Sequence, residues 1–272
     1  MTDRSQSLIR FLLSDIDGTL LRPDHSLTPA TVDAVGRLRD AGIHFTLASS
    51  RPPRAMGQII EALGVDLPTV SFNGGTITHP DGSLLAAYRI EPAAARTCLE
   101  LFATEEVAVW VFADNQWLLL DPDSAYVDHE RHALGYEPLL VDSFEPYLDR
   151  IDKIVASSTD FSLLETLENR LNPLIEGQAL AARSQSYYLD VTALAANKGT
   201  ALATLAEYLG VELVNTAAIG DGGNDVAMFQ LAGLSIAMGQ ADPAVQGQAY
   251  VVTESNLQDG VAQAIDRYIL PR

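Results

Sequence analysis

The two ends of the chain are written in one style and its middle in another, and this change constrains the fold more than any single residue. Near the start, Phe11-Leu12-Leu13-Ser14 is a short apolar run that ends in Asp15 and breaks at Gly18, the mark of a buried parallel strand. Thr28-Pro29 supplies an N-cap and a proline for the first helical position, Val32, Val35 and Leu38 mark one helix face, and Gly42 closes it. Residues 43–48 read as the next strand, so the opening is a βαβ unit. In the last third, Leu202, Leu205 and Leu209 form a helical stripe stopped by Gly210, and 216–219 is a strand running into Gly220-Asp221-Gly222-Gly223-Asn224-Asp225. A helix over 226–232, a strand over 234–237 and a helix over about 259–268 are predicted to follow.

The middle has strand-like stretches at 107–112 and 117–120, a polar, acidic segment at 121–130, and strands at 153–157 and 187–190 around a helix at 161–171. Because the βαβ style precedes and follows it, the middle is predicted to be an α+β domain inserted over 82–186. Residues 1–81 and 187–272 then form a doubly wound, parallel-sheet, Rossmann-like α/β core. A length of 272 residues suits two domains better than one hydrophobic core.

Lys plus Arg total 17 against 36 Asp plus Glu, giving a formal charge of −19. Such a surface repels polyanions, so nucleic acid and anionic membranes are excluded as expected partners. A phosphate site here needs local help from a metal, a lysine or backbone N–H groups. The single cysteine, Cys98, has no intramolecular partner, and Arg10 interrupts the apolar stretch 8–13, so no signal peptide is read and a cytoplasmic setting is expected. The uncharged run 226–241 contains Gln230, Gly233, Gly239 and Gln240 and falls short of the roughly 18 apolar residues of a membrane span.

Separate strand ends and loops carry the polar groups that phosphoryl transfer requires. In Asp15-Ile16-Asp17-Gly18-Thr19 a carboxylate at a strand end can attack phosphorus, and a second one two residues on can protonate a leaving oxygen and then activate water. The same segment is also compatible with a plain acidic turn. Ser49-Ser50-Arg51 places a hydroxyl after the second strand, where capping a turn is the bland alternative. Lys198, at the start of a helix, can add a point charge to an anion site, although a solvated lysine is the default. The most specific segment is 220–225, where glycines permit close backbone approach and carboxylates can hold a hard cation.

Together these segments resemble the haloacid dehalogenase superfamily of phosphatases, and the long insertion between Ser49 and Lys198 resembles its Cof-type branch, whose insertion is an α/β cap. The resemblance implies Asp15 as nucleophile, Asp17 as acid and base, Ser49 as the phosphate-binding hydroxyl, Lys198 as the lysine of the site, and Asp221 and Asp225 as its metal-side acids. It implies that Asn224 holds the phosphate or positions Lys198. It extends to Ser71-Phe72-Asn73-Gly74-Gly75, placing Asn73 and Gly74 beside the substrate, and to the tail segments 237–239 and 259–261. Ser50 departs from the family pattern by standing where a glycine's backbone N–H helps bind phosphate. The implied cofactor is Mg²⁺, bound by Asp15, the Asp17 carbonyl and Asp221, with Asp225 alongside.

The implied reaction is hydrolysis of a small phosphorylated metabolite, a sugar phosphate among the options, through an aspartyl-phosphate on Asp15. The cap is expected to select the leaving group. Two other functions stay open at this point: a phosphomutase or phosphotransferase on the same core, and a non-catalytic protein that binds a phosphorylated ligand. Monomer and dimer are both open. Outside the resemblance, His129 and His132 read as an exposed polar face, Ser235 lacks the setting of a hydrolase nucleophile, Cys98 reads as packing, and Arg183 reads as solvated.

Overall fold

The computed structural model describes residues 8–270; the ends of the predicted core, 1–7 and 271–272, lie outside the described residues. In chain order the strands are β1 (Phe11–Asp15), β2 (His44–Ala48), β3 (Thr69–Ser71), β4 (Thr76–Thr78), β5 (Leu84–Ala87), β6 (Ala108–Ala113), β7 (Gln116–Leu119), β8 (Leu139–Leu140), β9 (Ile151–Ser157), β10 (Ala179–Gln185), β11 (Tyr188–Ala193), β12 (Thr216–Gly220), β13 (Leu234–Ala237) and β14 (Val251–Val252). The helices are α1 (Pro29–Asp40), α2 (Gly57–Leu63), α3 (Pro92–Phe102), α4 (Val127–Leu134), α5 (Phe161–Leu171), α6 (Lys198–Leu209), α7 (Val226–Leu231), α8 (Pro243–Gln246) and α9 (Gly260–Ala264).

The chain divides into two compact units. One comprises the described residues up to Ser50, Met56–Leu85 and those from Asn197 onward; the other is Ala86–Ala196 with Arg51–Ala55. In the first unit the sheet order is β14-β13-β12-β1-β2-β3-β4-β5. The pairs from β14 to β3 are parallel, and β3 turns back antiparallel on β4. Strand β1 is buried throughout, as its unbroken apolar run requires. Leu12, Leu47, Ala217 and Ile236 from the sheet pack with Val35 and Leu38 of α1 and with Val261 and Ile265 near the C-terminal end. Thr28 caps α1, its side chain accepting the Thr31 N–H at 3.2 Å.

The second unit has sheet order β10-β11-β9-β6-β7-β8. All its pairs are antiparallel except β7 with β8. One sheet face, carrying Val111, Leu118, Ile154, Ala156, Leu189 and Val191, packs with Cys98 and Phe102 of α3 and Leu164, Leu167 and Leu171 of α5. Residues alternate across a pleat, so Trp110, Lys153 and Asp190 belong to the other face.

Three local expectations change. The acidic segment 121–130 contains the start of α4, whose Tyr126 N-cap is left-handed at φ 66°. The predicted helix over 259–268 is α9 followed by a π-turn, Ile265–Ile269, and it starts from Asp259 at φ 56°. Ile265 and Ile269 are both buried in this segment. Strand β10 has no counterpart in the expected pattern, since Ala-Leu-Ala-Ala-Arg-Ser-Gln is mostly exposed and forms on the edge offered by β11.

Candidate active site

Parallel strands that start level also end level. Asp15 of β1 pairs with Ala48 of β2, and Ser14 with Ile219 of β12. Asp15, Ser49 and the Gly220-Asp221 step therefore leave one edge of the sheet together, where the chain's progression from β1 reverses direction across the sheet. That is the position where open α/β sheets form their crevices.

Helix α6 brings Lys198 to this edge. Asn197 caps the helix, its side chain accepting the Thr200 N–H at 2.9 Å. Lys198, the first residue of the helix, is fully buried. Its Nζ donates to Asp15 Oδ1 and, at 2.6 Å, to Asp225 Oδ1. Burial alone lowers an ammonium's pKa, but Asp15 and Asp225 raise that of Lys198, which stays charged.

The 220–225 loop is wrapped around the carboxylate of Asp225, whose Oδ2 accepts the N–H groups of Asp221 and Gly222, each at 2.9 Å. A Cβ on Gly220 would lie 2.3 Å from that carboxylate, and a Cβ on Gly18, at φ +77°, would lie 2.3 Å from Asp221 Oδ2. A glycine thus makes room for each acid. The Thr19 hydroxyl donates to Asp221 Oδ1 at 3.0 Å.

Asp15, Asp221 and Asp225 each offer an oxygen within 4.8 Å of the others. Burial pushes the Asp15 carboxyl up to about 7; Lys198 opposes the rise, and Asp225 and Asp221 add to it. Burial raises Asp221 as well, against the Thr19 hydrogen bond. Three acids facing one lysine leave excess negative charge among hard oxygen donors, a set that fits a divalent cation such as Mg²⁺. Asp225 belongs to this cluster, and both its oxygens are also engaged, one by Lys198 and one by backbone N–H groups.

Asp17 sits in the turn that follows β1, where the N–H groups of Thr19, Leu20 and Leu21 converge on the Ile16 carbonyl at 3.3, 3.0 and 3.0 Å. Its side chain is partly exposed, with His25 Nδ1 at 3.9 Å from Oδ1. Ser49 is buried, and its carbonyl accepts the Asn73 N–H at 2.8 Å. Asn73 adopts φ 58°, a left-handed conformation that asparagine tolerates. Its Oδ1 accepts from Asn224 Nδ2 at 2.8 Å, linking the β3 loop to the 220–225 loop. Gly74, at φ +114°, lies where a Cβ would be 2.3 Å from the Asn197 carbonyl, so its backbone packs on the start of α6. Ser50 is exposed at the same edge.

The sequence-predicted residues Asp15, Asp17, Ser49, Ser50, Asn73, Gly74, Lys198, Asp221, Asn224 and Asp225 all belong to the first unit. His129, His132, Cys98 and Arg183 belong to the second. There His129 and His132 are exposed. Arg183 pairs with Glu168 at 2.7 Å, and burial pushes the Cys98 thiol up to about 12. A cleft of about 680 Å³ in the second unit, walled by Leu99, Phe102, Val109, Phe144 and Leu148, contains none of the predicted site residues. Sequence reasoning did not find Gln240, whose Nε2 donates to the Gly18 carbonyl at 2.6 Å, or Asn256, whose Nδ2 donates to the Leu21 carbonyl at 2.8 Å. Their only signal was their place in or beside the tail segments.

A family model described as haloacid dehalogenase-like hydrolase matches residues 12–265. The chain is 32% identical over 229 residues to the HMP-PP phosphatase of Cronobacter sakazakii, covering 84% of each protein. It superposes on a haloacid dehalogenase-like hydrolase from Bacteroides thetaiotaomicron with a TM-score of 0.86 and 25% identity, covering 95% of this chain and 99% of that one. A phosphatase of the same superfamily, also from Bacteroides thetaiotaomicron, gives a TM-score of 0.82 and 27% identity over 98% of both chains.

Proposed function

The chain belongs to the haloacid dehalogenase-like hydrolases and is a Cof-type phosphatase, and from that premise we propose that it hydrolyses a small phosphorylated metabolite through an aspartyl-phosphate on Asp15. The observation that carries the reading is the buried Lys198 held between Asp15 and Asp225, with Asp221 alongside, where β1 and β12 end. Mg²⁺ held by Asp15, Asp221 and the Asp17 carbonyl would supply the positive charge that lets a carboxylate approach a phosphoryl dianion.

The chain's own residues supply the rest. The Asp15 carboxylate attacks phosphorus as the bond to the leaving oxygen breaks, and the Asp17 carboxyl gives that oxygen its proton. Asp17, now a carboxylate, takes a proton from water, whose oxygen attacks phosphorus and returns Asp15 to its free form. Lys198 neutralises charge throughout, and Asp225 keeps Lys198 and the 220–225 loop in place. Ser49, Ser50, Asn73, Gly74 and Asn224 line the phosphate side, and the inserted unit selects the substrate.

The test is phosphate release from p-nitrophenyl phosphate and a panel of sugar, nucleotide and cofactor phosphates. HMP-PP leads the panel because the Cronobacter sakazakii relative is named for it. We expect release with Mg²⁺, none with EDTA, and a loss of about 10³-fold or more in Asp15→Asn. An Asp15→Asn protein that kept its activity would overturn the assignment, and transfer of phosphate to an added alcohol without release would favour a phosphotransferase.

A further inference from the structure

The turn that carries Asp17 is held from outside as well as from within. Its N–H groups from Thr19 to Leu21 all go to Ile16, and the carbonyls of Gly18 and Leu21 are met from the far end of the chain. Gln240 Nε2 donates to the Gly18 carbonyl at 2.6 Å, and Asn256 Nδ2 donates to the Leu21 carbonyl at 2.8 Å. The two residues are also joined, since the Asn256 N–H donates to Gln240 Oε1 at 3.0 Å. The Gln240 side chain also lies close enough to the Asp221 carboxylate to favour its charged form. One planar amide therefore bridges the acid/base turn and the residue that holds the turn's exit, beside the carboxylate of Asp221.

The tail that presents this amide is itself tightly seated. The Met238 N–H donates to the Gly220 carbonyl at 3.0 Å and the Gly239 N–H to Glu254 at 3.1 Å. A Cβ on Gly239 would lie 2.8 Å from the Thr253 carbonyl, and one on Gly260 2.0 Å from the Glu254 carbonyl. These contacts bring 237–240 and 253–260 together behind the catalytic turn, giving a physical role to a stretch that the reaction chemistry does not use. Asn256 is buried, whereas Gln240 is exposed yet has both ends of its amide committed.

We infer that Gln240 and Asn256 are positioning residues, a clamp that holds the Asp17 turn and Asp221 at the spacing phosphoryl transfer requires; the inference rests on reading the Asp15 cluster as the reacting site. The hydrogen bonds that make the clamp end on the Gly18 and Leu21 carbonyls, so it acts through the turn.

The experiment compares the full-length wild type with Gln240→Ala, Gln240→Glu and Asn256→Ala. It measures kcat and KM on p-nitrophenyl phosphate, Mg²⁺ binding by calorimetry, amide exchange across 17–21, and melting temperature. For Gln240→Ala we expect kcat down about 10-fold with KM within about twofold, weaker Mg²⁺ binding, faster exchange in the turn and an unchanged melt. Gln240→Glu keeps the acceptor for Asn256 but loses the donor to Gly18 and sets a second carboxylate beside Asp221. Its kcat should fall at least as far without weaker Mg²⁺ binding. Asn256→Ala should reproduce the faster exchange at the turn's exit.

Wild-type kcat, Mg²⁺ affinity and exchange in Gln240→Ala would overturn the clamp, as would a loss of kcat that only follows a loss of folded protein. If the wild type releases phosphate from nothing, the reaction reading fails, and Mg²⁺ binding and amide exchange still decide the clamp: unchanged values in the variants overturn it, shifted ones uphold it.

Discussion

The two units bury charge in opposite settings. In the first, Lys198, Asp15 and Asp225 sit where strands stop and a helix starts, and Asp225 draws on backbone N–H groups as well as on the lysine. In the second, Lys153 and Asp190 meet at 2.5 Å on the face of a sheet whose backbone is spent on its own ladder. Only side chains can balance charge there. Asp190 Oδ1, Trp110 Nε1 and Trp117 Nε1 find no hydrogen-bond partner among the described residues, and Glu130, raised by burial, accepts the Tyr188 hydroxyl at 3.1 Å. Strand ends and helix starts leave backbone groups free to hold a charge in place for chemistry; mid-strand positions do not.

Tryptophan fluorescence can separate the two units, because Trp110 and Trp117, the chain's only tryptophans, lie in the second. The largest expected effect is on activity. Lys198→Met should cut phosphate release by about 10³-fold and leave the tryptophan-detected unfolding transition in place. Lys153→Met should do the reverse: it strands Asp190 in a buried site and should destabilise that transition by about 3 kcal/mol, measured in urea, with Mg²⁺ binding unchanged. Equal effects of both variants on both readouts would break the contrast between the units.

The second unit's buried charge also makes its stability depend on pH. Burial raises the Asp152 carboxyl to about 6 from its ordinary 3.8, against the pull of Arg89. The folded state therefore keeps its proton at pH values where the unfolded chain has lost it. The contribution is fully present below about pH 4 and is lost as pH rises through about 6, amounting to about 3 kcal/mol at most. Tryptophan-detected stability should show this fall between pH 4 and 7, and Asp152→Asn should flatten it. An equally steep fall in the variant would assign the dependence elsewhere.

Much of the fold was legible because its signals are local. An apolar run ending in a carboxylate marks β1, Thr28-Pro29 marks the start of α1, and α5 spans 161–171 as its apolar spacing predicts. β10 was not legible, because its small and polar residues carry no strand period and it is ordered only by pairing with β11. In the site, residue types that suit phosphoryl transfer stood out at strand ends and helix starts. Gln240 and Asn256 did not stand out, since an amide in a loop signals nothing until the carbonyl it meets is known.

The sequence by itself determined which chemical groups the protein has and which strand end or helix start presents each of them, because apolar period and capping act over a few residues. Tertiary structure alone decided their company. Lys198 meets Asp15 across 183 residues of chain, Asn73 meets Asn224 across 151, and Gln240 meets Gly18 across 222. Those meetings depend on which strands lie side by side, and strand order is set by packing the whole sheet against its helices, a property no local stretch of sequence contains.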